Sequence, residues 1–393
     1  MPRSPQGAPS VSFYRDPKLR SIAYQVVLCA ALGLLAYAAA RNAAENLARA
    51  KIASGFGFWN VIAGFDISQT LIEYSAQYST FGRAFWVGLT NTLLVAGLGI
   101  LFATLLGTAI GIARLSKNFL VERLASGYVE LIRNVPLLLQ LLFWYNAVLK
   151  ALPDFANGFA LPGGILLNNR GLFMPRPLTV DGWHVAGALA AAVIAGLAFN
   201  KLAGQSAGVW RSTAVRFAVT LLLVIGLPVV AFLAMGAPLA FEYPQAGRFN
   251  VSGGVEILPE FVALLFGLVI YTAAFIAEVV RAGLSSVSRG QTEAAQALGL
   301  RRMQALRLIV IPQAMRVIIP PLTSQYLNLT KNSSLAVAIG YPDLVQIFTG
   351  TVLNITGQAV EVVVITMAVY LSFSLITSLV MNAYNARVAL VER

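Results

Sequence analysis

Residues 293–312 read EAAQALGLRRMQALRLIVIP and lie between two late apolar runs. From Arg281 to Arg316 the chain carries six arginines and one acid, Glu293. Groups of this kind make and break no covalent bonds. Their chemistry is docking: arginines pair with acids, and the small Ala294 and Ala295 let another surface approach closely. His184 is the single histidine, too few for a metal site or triad, and we assign it no role. Cys29 is the single cysteine, lies in an apolar run, and can form no internal disulfide. No G-x-x-x-x-G-K-[ST] occurs, so the phosphate-cradling loop of an ATPase is missing.

A second polar set lies in an apolar segment at 317–340. It comprises Gln325, Asn328, Lys331, Asn332, Ser333 and Ser334. A lysine near the middle of a bilayer costs about 2.5–3.5 kcal/mol unless it faces protein or water. Two readings stand: an ion pair with Glu278 or Glu130, or a polar face lining a solute path. Residues 325, 328 and 332 share a helical face. Arg133 is a further candidate for such a path, against a plainer role in anchoring or pairing a helix end. Pro320 and Pro321 are expected to kink the entry to this helix.

The elements that hold these residues are membrane spans. The 393-residue chain is 58% hydrophobic and 11% charged, where a soluble domain carries about a quarter charged residues. Eight segments approach the roughly 20 residues needed to cross a bilayer: 21–40, 85–113, 128–150, 183–199, 211–235, 258–280, 317–340 and 361–383. The expected fold is therefore an all-α polytopic helix bundle. The run 21–40 exceeds a signal peptide's apolar core and reads as a retained helix. Within the bundle, Asn91, Thr92 and Thr104 offer hydrogen bonds between helices. Gly107 and Gly111 form a G-x-x-x-G pair that permits close packing.

The net charge of +12 is distributed in short pieces between apolar runs, which argues against nucleic acid. Counted on alternate sides of the spans, nineteen Lys and Arg fall on one side and eight on the other, with Lys331 inside a span. The positive-inside bias then puts both termini and the 281–316 loop in the cytoplasm. Residues 41–84, rich in Gly and aromatics, and 151–182, rich in Pro, Gly and Asn, fall outside. They suit interfacial anchoring, re-entrant turns or contact with a soluble partner. Within the loop, Ala and Leu favour short helices. Gly299 is the expected break, giving helix, glycine turn, helix.

The pattern E-A-A-x-x-x-G, nine residues, then I-x-L-P resembles the EAA motif of ABC importer permeases. The chain supplies Glu293, Ala294, Ala295, Gly299, Ile309 and Pro312, with Ile311 at the usual Leu position. Arg133, Asn134, Pro136, Leu137, Leu138 and Gln140 match the R-[GN]-x-P-L-L-x-Q hallmark of polar amino acid permeases (the histidine, glutamine and general L-amino acid group). The layout resembles the long permease subunit of general L-amino acid importers. That resemblance implies a type I-like core of five spans (the second, third, sixth, seventh and eighth). It divides the chain into a cytoplasmic N-terminus (1–20), an extra helix with a periplasmic segment (21–84), two core helices (85–150), an inserted loop and helix pair (151–257), and three core helices with the coupling loop (258–393).

The resemblance further implies a bacterial inner-membrane protein that is no enzyme and binds no cofactor. ATP and Mg would be held by a dimer of ATP-binding subunits docking on the loop, with Arg301 and Arg302 beside the EAA residues. A second permease, expected to be a paralogue, a periplasmic amino-acid-binding protein and membrane lipid complete the partners. The solutes would be polar or general L-amino acids, moved by alternating access. Two other classes compete: an ion-coupled secondary transporter of small polar solutes, and a non-transporting scaffold. Secondary carriers place acids deep in the membrane, whereas Glu130, Glu278 and Glu361 lie near span ends.

Overall fold

The computed structural model describes residues 17–49, 54–154, 157–178, 182–205, 213–234, 240–247 and 251–388. Arg3, Arg15, Lys51, Arg211, Arg248 and Arg393, all counted in the charge bias, lie outside them.

The helices are α1 (Pro17–Arg49), α2 (Phe81–Ala113), α3 (Phe119–Asn134), α4 (Leu137–Leu142), α5 (Gly182–Gln205), α6 (Thr213–Ala234), α7 (Pro259–Ser285), α8 (Arg289–Ala297), α9 (Arg302–Ala305), α10 (Ile311–Asn332), α11 (Leu353–Thr356) and α12 (Ala359–Val388). Among the described residues, five runs are long and apolar enough to cross a membrane: 20–39, 81–113, 259–285, 302–338 and 359–383. Three shorter apolar helices cover 137–149, 187–203 and 218–230. All eight expected spans thus fall on helices, with shifted ends. The third is broken between α3 and α4. The seventh begins well before 317, because π-helical turns at Leu306–Val310 join α9 to α10. The helix also continues through Pro320 and Pro321, where an entry kink was expected.

The chain divides into two units, residues 1–129 with 272–393, and residues 130–271. In the first, small residues bring α2 against α7. A Cβ on Gly107 would lie 2.8 Å from the Ala273 carbonyl oxygen, and one on Gly111 would lie 2.8 Å from that of Ala277. Neither glycine could be replaced without parting the helices. Farther along, Thr104 Oγ1 and Tyr326 Oη are 2.9 Å apart, tying α2 to α10. At the other end of α2, Asn91 Nδ2 donates to the carbonyls of Gln69 (2.9 Å) and Pro342 (2.8 Å). Thr92 Oγ1 accepts from Leu344 N–H at 3.1 Å. Thr92 and Thr104 thus bond between helices as expected, whereas Asn91 bonds the loop residues Gln69 and Pro342.

The aromatic segment after α1 is packed inward. Phe58, Ala63 and Phe81 join Phe85, Phe348 and Val352 in one buried cluster, with Trp59, Phe65 and Tyr74 against it. Trp59 stacks 5.1 Å from Phe85. Glu361, buried in the first turn of α12, accepts the Gly55 N–H at 2.5 Å. These aromatics form a core over the end of α2, and only part of the segment, such as Tyr78, remains exposed.

In the second unit the inserted segment adds strands that its composition did not announce. β1 (Phe159–Leu161), β2 (Ile165–Asn168), β3 (Gly171–Met174) and β8 (Val255–Ile257) form an antiparallel sheet in that order. β4 (Arg176–Leu178) pairs with β5 (Ala240–Glu242), and β6 (Gln245–Ala246) with β7 (Val251–Ser252). Between them α5 and α6 pack as a helical pair. Asn200 Nδ2 donates to Thr220 Oγ1 at 2.5 Å, and Gly196 admits the Thr220 methyl.

Candidate functional site

Ser288 caps α8, its hydroxyl accepting the Gly290 N–H at 3.3 Å. The helix ends at Gly299, whose φ of +77° is left-handed and strained for any residue with a Cβ. Leu300 N–H reaches Ala295 O at 3.1 Å and Gly299 N–H reaches Gln296 O at 2.9 Å. That pair of bonds is a Schellman close, which satisfies the last carbonyls of the helix. The next helix starts at once, with Arg301 N–H donating to Gln304 Oε1 at 2.9 Å. The expected helix, glycine turn, helix is present, but its second helix is the start of the long run to residue 338.

Side-chain exposure sorts the loop residues. Ala295 and Ala305 are buried and hold α8 against the start of the next helix. Glu293, Ala294, Gly299, Arg301, Arg302 and Pro312 are exposed, and Ile309 is half-buried. Three apolar neighbours are also exposed: Leu298 and Leu308, read from sequence only as helix formers, and Met303. Leu298 is 80% exposed, Met303 72% and Leu308 64%. The signal was available, since each is a large apolar residue inside the most basic loop of the chain. Along the chain they are interspersed with Arg301, Arg302 and Arg307.

Behind the loop, Glu278 on α7 holds two arginines. It accepts from Arg114 at the end of α2 and from Arg281, whose guanidinium lies 2.5 Å away. Arg114 Nε also reaches Ser126 Oγ at 3.3 Å, which fixes α3 to the same cluster. Glu278, offered as an ion-pair partner of Lys331, is therefore committed elsewhere. The reason is proximity: Arg281 is one turn away on the same helix, and Arg114 closes the adjacent span.

The polar set at 325–334 divides. Asn328 and Lys331 are exposed, and Gln325 and Asn332 are half-buried on the same helix. Ser333 is fully buried, with its hydroxyl donating to Thr330 O at 2.8 Å. Ser334 donates to Lys331 O at 2.6 Å. The two serines thus close the end of α10 rather than present free hydroxyls. Arg133 belongs to the other unit and is exposed there.

The R-N-x-P-L-L-x-Q hallmark has a backbone explanation. Pro136 has no N–H, so the Ile132 carbonyl four residues earlier loses its helical donor. Gln140 replaces it: Nε2 donates to Ile132 O and to Val135 O, both at 3.0 Å. The glutamine is buried and repairs the break that the proline makes.

One further polar cluster was not legible. Asp343, fully buried after α10, accepts Gln346 N–H at 2.8 Å and Tyr370 O–H at 3.3 Å. Burial pushes its carboxyl up to about 7, against the opposing pull of these donors.

The comparisons with known proteins agree with this architecture. Residues 99–390 match the family model described as "binding-protein-dependent transport system inner membrane component". The general L-amino acid transport system permease protein AapQ of Rhizobium johnstonii is 50% identical over 96% of this chain and 94% of its own length. The putative amino-acid ABC transporter permease protein YhdX of Escherichia coli is 48% identical over 98% of each. The glutamate/glutamine/aspartate/asparagine transport system permease protein BztB of Rhodobacter capsulatus is 41% identical over 96% of each. A bundle of apolar helices with an EAA-patterned loop, a proline break repaired by glutamine, and these relatives across nearly the whole length place the chain in one family: it belongs to the inner-membrane permease components of binding-protein-dependent ABC transport systems.

Proposed function

We propose that this chain is the permease subunit of an ATP-driven importer of polar or general L-amino acids, working by alternating access. The observation that carries the coupling half of this reading is the exposure of Leu298, Met303 and Leu308. Arg301, Arg302 and Arg307 stand beside them in the sequence. Burying such apolar anchors is where binding energy concentrates in protein interfaces. An acid-rimmed cleft on a separate ATP-binding subunit, present as a dimer with ATP and Mg, is the complementary surface. Glu293, Ala294, Gly299, Arg301, Arg302, Ile309 and Pro312 shape the contact, whereas Ala295, expected to let another surface approach, is buried within the loop and only supports it. Both termini and this loop are cytoplasmic in this reading.

For the solute path we propose Lys331 with Gln325, Asn328 and Asn332, and Arg133 as a further contributor. A lysine ammonium suits the carboxylate that every amino acid carries. Ser333 and Ser334 support this face by fixing the helix end. The names of the relatives point to amino acids as solutes. A second permease, a paralogue, and a periplasmic amino-acid-binding protein complete the assembly.

The test is ATP hydrolysis and uptake in proteoliposomes holding the chain with its co-purifying subunits. Binding protein is added with and without a panel of L-amino acids. Hydrolysis that rises with loaded binding protein, accompanied by uptake, is the expected result. Uptake driven by an imposed ion gradient without ATP would overturn the proposal in favour of a secondary carrier.

A further inference from the structure

Beside the coupling loop lies a cavity of about 900 Å³ between the ends of α2 and α7 and the start of the long helix that begins at Arg302. Most of its lining is apolar or weakly polar, including Thr108, Ile112, Ile318 and Leu322. Two cations, Lys117 and Arg302, also line it, and no acid is among the described lining residues. Both cations are exposed. From Thr104 to Ala113 the wall follows roughly 14 Å of helix, about one leaflet of a 30 Å hydrocarbon core. The shape is that of an amphiphile: an apolar tail in the trough and an anion at one end.

We infer that this cavity holds an anionic phospholipid of the surrounding bilayer, with its phosphodiester headgroup on Lys117 and Arg302 and an acyl chain along α2 and α10. The assignment rests on the orientation that puts the loop on the cytoplasmic side. Basic pockets between spans on that side suit anionic headgroups. Charge decides between occupants. A helix from a second permease would fill the trough but leave two cations unmatched. A zwitterionic lipid offers the pair no net charge. Arg302 belongs to both the cavity and the docking loop, so the bound lipid orders the segment on which the motor subunit acts.

The experiment uses the complete transporter in nanodiscs of mixed phosphatidylglycerol and phosphatidylcholine. A photoactivatable analogue of each lipid is added, and the labelled peptides are mapped. The expected result is phosphatidylglycerol label on residues 104–117 and 306–322, which soluble glycerol phosphate does not compete away. Lys117→Ala should lower that label by roughly fivefold, the factor for about 1 kcal/mol per basic residue near the surface. Thr108→Trp, which fills the trough and leaves both charges, should abolish it. Equal labelling by both lipids, label unchanged in Thr108→Trp, or cross-linking of position 112 to another permease chain would each overturn the inference. Labelling requires no transport. Loss of ATP-driven uptake with the label intact would therefore count against the proposed function alone.

Discussion

Gly107→Ala is expected to destabilise the chain although alanine is the better helix former. A Cβ at position 107 would meet Ala273 O at 2.8 Å and Ile276 Cβ at 2.7 Å. The oxygen belongs to the backbone of a facing helix and cannot rotate away. Ordinary contact begins near 3.4 Å, so α2 and α7 must part by about 0.6 Å. That shift also loosens the contact at Gly111. Overpacking of this kind costs about 1–3 kcal/mol. Gly97 lies on the same helix with nothing within 4 Å of a built Cβ. Gly97→Ala should instead gain up to about 1 kcal/mol from helix propensity. The same substitution ten residues apart should thus change sign. Thermal unfolding of the detergent-solubilised transporter, followed by fluorescence-detected size exclusion, reads the difference. A midpoint for Gly107→Ala several degrees below wild type, with Gly97→Ala at or above it, is expected. Equal midpoints for the two variants would refute the close-packing argument.

Gln140→Leu should destabilise by about 1–3 kcal/mol, because two part-buried carbonyls lose their shared donor; Gln140→Glu should fare no better, and a midpoint matching wild type would exclude the repair role. Gly299→Val should abolish stimulated ATP hydrolysis while Gly299→Asn, which tolerates left-handed dihedrals, should retain much of it; parallel membrane yield of both variants would show that insertion is spared. The carboxyl of Asp343 is raised in the folded state to about 7 from an ordinary 3.8. The folded chain therefore binds more protons over that interval, and this contribution to stability is full below about 4, then falls as pH rises to about 7 and levels off. Asp343→Asn should flatten that slope in unfolding midpoints taken from pH 4 to 8, and an unchanged slope would exclude Asp343 as its source.

What the sequence revealed and what it hid divide along physical lines. Gly299 was legible because a glycine between two helix-forming runs has few other uses, and its left-handed φ follows. Gly107 and Gly111 were legible because their spacing sets them on one helical face. Asn91, Thr92 and Thr104 were readable as polar groups needing partners, but Pro342, Leu344 and Tyr326 lie more than 200 residues away and nothing local names them. Of the two acids offered for Lys331, Glu278 is claimed by Arg114 and Arg281, a competition among cations that sequence does not show. The strands near 159–178 are three or four residues long, too short for alternation to register. Gln140 stood in a recognised motif, yet its role appears only when Pro136 is counted back to Ile132. Leu298 was read only as a helix former, because exposure of an apolar side chain shows only once the fold is known.

Residues 302–338 form one unbroken helical run. Arg302 and Lys331 therefore stand roughly 40 Å apart on a single rod. Pivoting that rod by about 5° sweeps its far end through roughly 3–4 Å, enough to open or shut a passage for a small solute. No relay of side chains is needed to carry the signal. Reciprocity follows: if seizing the Arg302 end changes the affinity at Lys331 by some factor, a solute at Lys331 changes the grip at Arg302 by the same factor. The wide turns at Leu306–Val310 are where the rod can yield. In the proposed function, the stiffness of those five residues sets how much of a stroke at the Arg302 end reaches a solute at Lys331.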